Sequence, residues 1–174
     1  MIKCPREKGD GTLKEKVNKT NAMRILDTMK ISYDYKTYEP DENDLSGEHL
    51  AVQLSMDPAM MFKTLVAKGD KTGYVVACIP VGETLDLKAF ARVSGNKSVE
   101  MLHVKDLLGV TGYIRGGCSP IGMKKHFPTY IDETVILHEI VAVSGGIRGI
   151  QLLLSPDDLV KAADATVCEL TAIQ

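Results

Sequence analysis

The stretch Thr111–Lys125, TGYIRGGCSPIGMKK, concentrates residue types that can do chemistry without a dedicated side chain. Gly112, Gly116, Gly117 and Gly122 surround Cys118-Ser119-Pro120, and Lys124 and Lys125 close the segment. Glycine lets a ligand approach the main chain closely, and proline stiffens the loop between its glycines. Such a loop can aim bare N–H groups at an anion or a carbonyl oxygen. The same residues also suit a tight connection between two strands, and the loop alone does not decide between the two.

Other candidates are single residues. In FKTLVA (62–67), period-two alternation puts Phe62, Thr64 and Val66 on one face and Lys63, Leu65 and Ala67 on the other. Lys63 therefore stands where an apolar side chain is expected. It must pair, snorkel to solvent or lose its charge, and as a functional group it would put a cation at the floor of a pocket. Ser144, before Gly145-Gly146, is a candidate hydroxyl donor or plain turn chemistry, and Arg148 a candidate phosphate contact or a solvated charge. Tyr38, at a strand end, could present its hydroxyl to a ligand. Cys118 could act as a nucleophile if a histidine stood beside it, but no spacing places one there. Cys4, Cys78, Cys118 and Cys168 form no CxxC pair, and the four histidines show no ligand spacing. That pattern argues against a disulfide framework and a metal site, and no cofactor is expected.

These residues need a scaffold. The chain has 174 residues, 44% hydrophobic and 25% charged, with a net charge of −2. That suits one domain with a sizeable core, a charged extension over 1–19 and a domain over 20–174. The charge argues against wholesale coating of nucleic acid, so DNA is not an expected partner. The first residues lack an apolar signal segment and no run is long enough for a membrane span, so a cytoplasmic protein with no membrane partner is expected. A helix is predicted from about Thr20 to Lys30, where Ala22, Ile25, Leu26 and Met29 recur at helical spacing. Strands are predicted over Ser32–Glu39, Met60–Lys68 and Tyr74–Pro80, the last two joined by a hairpin at 69–73. Short helices are predicted around Glu48–Leu54, Leu85–Val93 and His103–Leu108. Short strands are expected at Val135–Leu137, Ile140–Val143, 150–154 and Thr166–Leu170. Ser155-Pro-Asp-Asp158 is a strong helix start. The irregular order of helices and hairpins points to an α+β fold with a mixed sheet.

The lysine strand FKTLVA (62–67), the loop GYIRGGCSPIGMKK (112–125) and the turn VSGGIRGIQL (143–152) occur in that order. With TYE (37–39) and SPDDLVKA (155–162), they closely resemble the YbaK/EbsC family over about residues 20–172. This is the group of free-standing aminoacyl-tRNA editing domains related to the insertion domain of prolyl-tRNA synthetase. The resemblance implies a curved mixed β-sheet, barrel-like and flanked by helices. It implies deacylation of mischarged tRNA, Cys-tRNA(Pro) being the usual substrate of the YbaK subgroup, with the tRNA acceptor end and prolyl-tRNA synthetase as partners. Lys63 matches the family's essential lysine, which holds the 3′-terminal phosphate or ester region. Gly116, Gly117, Ser119, Pro120 and Gly122 match a GxxxP-type loop whose amides surround the aminoacyl group, so Lys63 and Gly117 take the catalytic roles. Tyr38, Thr64 and Ser144 match polar positions lining the same pocket. In the mechanism proposed for this subgroup the substrate's own thiol attacks its ester. Cys118 departs from the pattern, which readily takes an aliphatic residue there. Two alternatives remain: an Ala-tRNA(Pro) deacylase that uses water, and a non-catalytic module that binds a tRNA end or a synthetase. A modest basic surface (Lys88, Arg92, Lys97, Lys124, Lys125) suits a weak tRNA contact.

Overall fold

In the computed structural model, residues 17–173 are described; most of the charged extension expected over 1–19 lies outside them. Local chemistry sets the helix starts. Thr20 Oγ1 accepts from the Met23 amide at 3.2 Å to open α1 (Asn21–Thr28), which buries Ala22, Met23 and Leu26. Strand β1 (Asp34–Thr37) follows, and then α2 (Gly47–Leu54), capped by Ser46 Oγ on the His49 amide at 3.2 Å. The hairpin β2 (Phe62–Gly69) and β3 (Gly73–Pro80) forms as its alternation demands, pairing Lys63 with Ile79 and Thr64 with Cys78. Next come α3 (Leu87–Val93), β4 (Val99–Met101) and α4 (Val104–Thr111). After the glycine loop stand β5 (Thr129–Asp132), β6 (Val141–Ser144), β7 (Ile150–Leu154), α5 (Pro156–Ala163) and β8 (Ala165–Cys168).

The strands make two sheets. One is antiparallel, in the order β1-β7-β6; the other is mixed, in the order β4-β2-β3-β5-β8. A parallel bridge between Met61 and Ala142 joins them. The expected α+β class holds. As for the barrel-like expectation, the two sheets meet at one bridge and form no continuous ring among the described residues.

The expected strand at Val135–Leu137 is instead a 3-10 turn over Glu133–Leu137, started by Asp132 Oδ2, which accepts from the Thr134 amide at 3.1 Å. An acid at the cap position outweighs the β-branched residues that follow.

Alternation divides the core. One side gathers Phe62, Cys78, Ile131, Val143, Ile150 and Leu152 with Met23 and Leu26 of α1 and Leu159 of α5. On the outer side, Phe90 of α3 packs on Ala67, Ala77 and Ile79. Also outside, α2 lays Ala51 over Met61, Val81 and Ala142, with Leu50, Leu54 and Leu153 around them. This last patch prepares the site, because the strand residues continuing it are polar.

Candidate functional site

The seam between the sheets decides which residues share a face. Met61 and Ala142 are bridge partners and lie together under α2, and Leu153 is opposite Ala142 in the β6–β7 ladder. One period further along each strand come Lys63, Ser144 and Gln151, and Ser144 and Gln151 are direct cross-strand partners. Lys36 of β1 is opposite Gln151 on the far side. The outer face thus changes from apolar to polar along a single row.

Lys63 is half-buried, and its Nζ donates to the Val81 carbonyl at 3.2 Å. It is neither fully snorkelled nor ion-paired among the described residues. Ser144 is buried, and its Oγ accepts from the Gly146 amide at 3.3 Å, which tightens the turn after β6. Thr64 points to the other side of β2. Its hydroxyl stands 3.8 Å from Cys78 Sγ, in the core shared with α1 and α5. The structure therefore brings Lys63 and Ser144 to one face and separates Thr64 from them by one strand's thickness.

The glycine loop packs against the 145–149 turn. A Cβ on Gly117 would stand 3.1 Å from the Arg148 amide nitrogen and 3.2 Å from the Ile147 backbone, so only hydrogen fits between the two segments. The Gly117 N–H is already used, donating to Ile114 O at 2.9 Å. The amides of Gly116, Cys118 and Ser119 have no protein acceptor among the described residues. Ser119 is fully buried, and its Oγ accepts from the Ile121 amide at 3.3 Å; Pro120 is buried beside it. These two shape the loop from within.

Tyr113 braces the whole assembly, a role its sequence position does not announce. Its hydroxyl donates to Ile121 O at 2.5 Å, and burial pushes its pKa up to about 12. Gly122, at φ +83°, lies against that hydroxyl, and Gly146 lies against the ring edge. One buried ring thus seats both the loop and the turn.

Arg148 ties three segments. Its Nε donates to Arg115 O at 2.8 Å, and its Nη1 stands 3.9 Å from Glu42 Oε1 in the acidic loop before α2. A cleft opens at this junction, lined by Tyr38, Leu45, Ser46, His49, Gly116 and Arg148 among others. Tyr38 is held there by its amide, which donates to Gly149 O at 2.9 Å. His49 stands between Asp41 and Asp44, at 3.4 and 3.6 Å. Lys63 and Ser144 are not among the residues that line this cleft.

Cys118 sits on the back of the glycine loop. It is 7% exposed, and burial pushes its thiol up to about 12. No imidazole hydrogen-bonds it among the described residues. At neutral pH it is a protonated, enclosed thiol.

Residues 42–162 match the family model described as the aminoacyl-tRNA editing domain. The chain belongs to that family. A curated relative from Enterococcus faecalis (strain ATCC 700802 / V583), named "Putative Cys-tRNA(Pro)/Cys-tRNA(Cys) deacylase EbsC", is 48% identical over 158 residues, covering 91% of this chain and 96% of its own. That likeness bears out the resemblance to the YbaK/EbsC family. A solved structure described as "a putative trans-editing enzyme for prolyl tRNA synthetase" superposes with a TM-score of 0.74 at 20% identity, covering 90% of this editing domain chain and 100% of its own. A second, described as hypothetical protein APE2540, gives 0.78 at 19% identity over 86% and 97%. At such identities the two structures speak for the fold. No helix among the described residues is long and apolar enough to cross a membrane.

Gln151 is a site-face residue that motif reasoning missed. The available signal was one amide inside the apolar run IQLLL.

Proposed function

We propose that this editing domain is a trans-acting deacylase of mischarged Cys-tRNA(Pro), in which the substrate's own thiol attacks the aminoacyl ester. The observation that carries the reading is the pairing of a polar row, Lys63 with Ser144, with a glycine-loop thiol that is buried and protonated. The site offers positioning and hydrogen-bond donors and no side-chain nucleophile of its own.

In this reading Lys63 takes the negatively charged 3′-terminal phosphate or ester region, and Ser144 and Tyr38 hold polar groups of the terminal nucleotide. The loop of Gly116, Gly117, Ser119, Pro120 and Gly122 surrounds the aminoacyl group. The Gly117 N–H is engaged within the loop, so Gly117 serves by permitting close packing, and the amides of Gly116, which lines the cleft, and of Cys118 are the donors left for a developing oxyanion. Thr64, on the opposite face, acts on the pocket through Cys78 behind the loop. Substrate sulfur bonds to the ester carbon, the ester C–O bond breaks, and the ribose oxygen leaves as a hydroxyl with the thiol's proton. Water then opens the small cyclic thioester. An oriented internal nucleophile contributes about 7–11 kcal/mol, and one oxyanion donor roughly 3–4 kcal/mol. An aminoacyl ester needs no more.

A pocket alone separates side chains that differ by one small group by only about 1–3 kcal/mol. A reactive thiol on the substrate supplies the missing selectivity. tRNA identity lies far from this small site, and prolyl-tRNA synthetase is the partner that would read it, in the cytoplasm where both work.

The test is deacylation of a panel of charged tRNAs by purified protein. Cys-tRNA(Pro) is expected to be cleaved much faster than Ala-tRNA(Pro) or Ser-tRNA(Pro). Preference for the alanyl ester would mean that water attacks, and cleavage of none would make this a binding module.

A further inference from the structure

Gln151 carries an observation that the proposed mechanism does not use. It is 5% exposed, yet its amide makes no hydrogen bond among the described residues. Neither amide atom is wholly sealed from solvent, since no enclosed side-chain nitrogen or oxygen is left unpaired. The side chain is therefore buried along its stem and open at its polar end. An amide at this place in the apolar run, with no partner from the protein and its polar end open, is free to bond water or a ligand, which methionine or leucine could not do.

Its position says what the amide faces. Gln151 is opposite Ser144 on β6, on the face that also holds Lys63, with Lys36 opposite on β1. Directly paired Cβ atoms stand about 4.5–5.5 Å apart, so Ser144 and Gln151 can reach one ligand group together. An amide offers one acceptor and one donor side by side. At the end of an aminoacyl-tRNA, the α-ammonium only donates and the ester carbonyl only accepts. The free ribose hydroxyl beside the ester does both. Two flanking lysines also disfavour an ammonium here. We infer that Gln151 is a substrate-binding residue that takes the free vicinal ribose hydroxyl of the terminal nucleotide.

The inference rests on the deacylase reading, and its test separates the two. Cys-tRNA(Pro) ending in adenosine is compared with the same tRNA ending in 2′-deoxyadenosine and charged at the 3′ position, using wild type and Gln151→Met. In parallel, binding of non-hydrolysable 3′-cysteinyl-amido adenosine and its 2′-deoxy form is measured. Wild type is expected to lose about tenfold in kcat/KM and in binding on the deoxy end, as for one hydrogen bond left unmade in a buried site. Gln151→Met is expected to lose about tenfold on the ribose end and to treat both ends alike, with a melting temperature equal to or above wild type. Gln151→Leu provides the same comparison should the methionine variant misfold. Equal discrimination by wild type and variant overturns the inference, as does a melting temperature well below wild type in both the methionine and the leucine variant. If wild type cleaves no charged tRNA, the deacylase reading falls, and the binding comparison still decides Gln151.

Discussion

Removing the Cys118 thiol tests the chemistry most directly. Burial holds it up to about 12. At pH 7.5 such a thiol is ionised in roughly 3 molecules per 100,000, against about 1 in 10 for an ordinary thiol near 8.5. Intrinsic nucleophilicity rises with pKa with a Brønsted slope of about 0.4–0.5, which recovers roughly 30-fold of that 3,000-fold deficit. Cys118 is left about 100-fold behind an ordinary thiol such as the substrate's, before any advantage of intramolecular attack. Cys118→Ala should therefore keep kcat within about twofold on Cys-tRNA(Pro), while losing about 1 kcal/mol of stability for one buried atom of sulfur size. The assay is single-turnover release of cysteine between pH 6.5 and 10, corrected for spontaneous ester hydrolysis. The rate should rise with pH and level off near the substrate thiol's own ionisation. A serine ester on the same tRNA should be released at least 100-fold more slowly. An inactive Cys118→Ala, a rate still climbing toward pH 12, or a covalent cysteinyl adduct at Cys118 would refute the reasoning.

Three further outcomes are expected. Lys63→Met should keep its melting temperature near wild type, because it gives up one hydrogen bond to Val81 O, a net term of about 1 kcal/mol, while kcat/KM on Cys-tRNA(Pro) falls at least 100-fold; turnover near wild type in the folded variant would remove Lys63 from the site. Gly122→Ala should unfold early, since its Cβ would stand 2.9 Å from both Asn21 Nδ2 and the Tyr113 hydroxyl at φ +83°. Left-handed strain of about 1–2 kcal/mol and overpacking of about 1–3 kcal/mol together predict a calorimetric loss of roughly 2–5 kcal/mol. The melting temperature should fall at alkaline pH, because burial raises both Cys78 and Cys118 to about 12. Below about pH 8.5 both thiols are protonated folded and unfolded, so their stabilisation is complete. Above it the unfolded chain alone ionises them, and stability drains as pH approaches 12. The slope is up to about 1.4 kcal/mol per pH unit for each thiol; Cys118→Ala should flatten the curve, and an unchanged curve would show that Cys118 does not contribute.

Much of the scaffold was legible from local rules. Thr20, Ser46 and Ser155 each cap the helix that the pattern placed after them. The β2–β3 hairpin follows from its alternation and its Gly69–Gly73 connection. Local rules failed where a distant partner decides. Strand β5, TYID, is short and ends in an acid, and it holds its place only because β3 and β8 pair with it on both sides in parallel. The buried Asp132 at its end accepts from the Leu170 amide at 2.9 Å, a partner 38 residues away. Strand β4 exists only as a partner of the far end of β2.

The candidate site divides in the same way. Sequence by itself supplied its parts: a lone lysine in an apolar strand, a glycine-rich loop that suits either a turn or a ligand, and a serine before a glycine pair. It also fixed that Lys63 and Thr64 face opposite ways, since a strand's period is two. Which of those faces carries Ser144 and which carries the back of the glycine loop was settled by one inter-sheet bridge, Met61 with Ala142. The same packing encloses Cys118, which raises its thiol to about 12, and sets Tyr113 as the brace for loop and turn. Spacing along the chain determines what a residue can do, while burial and cross-strand register, which depend on partners tens of residues away, determine what it is given to do.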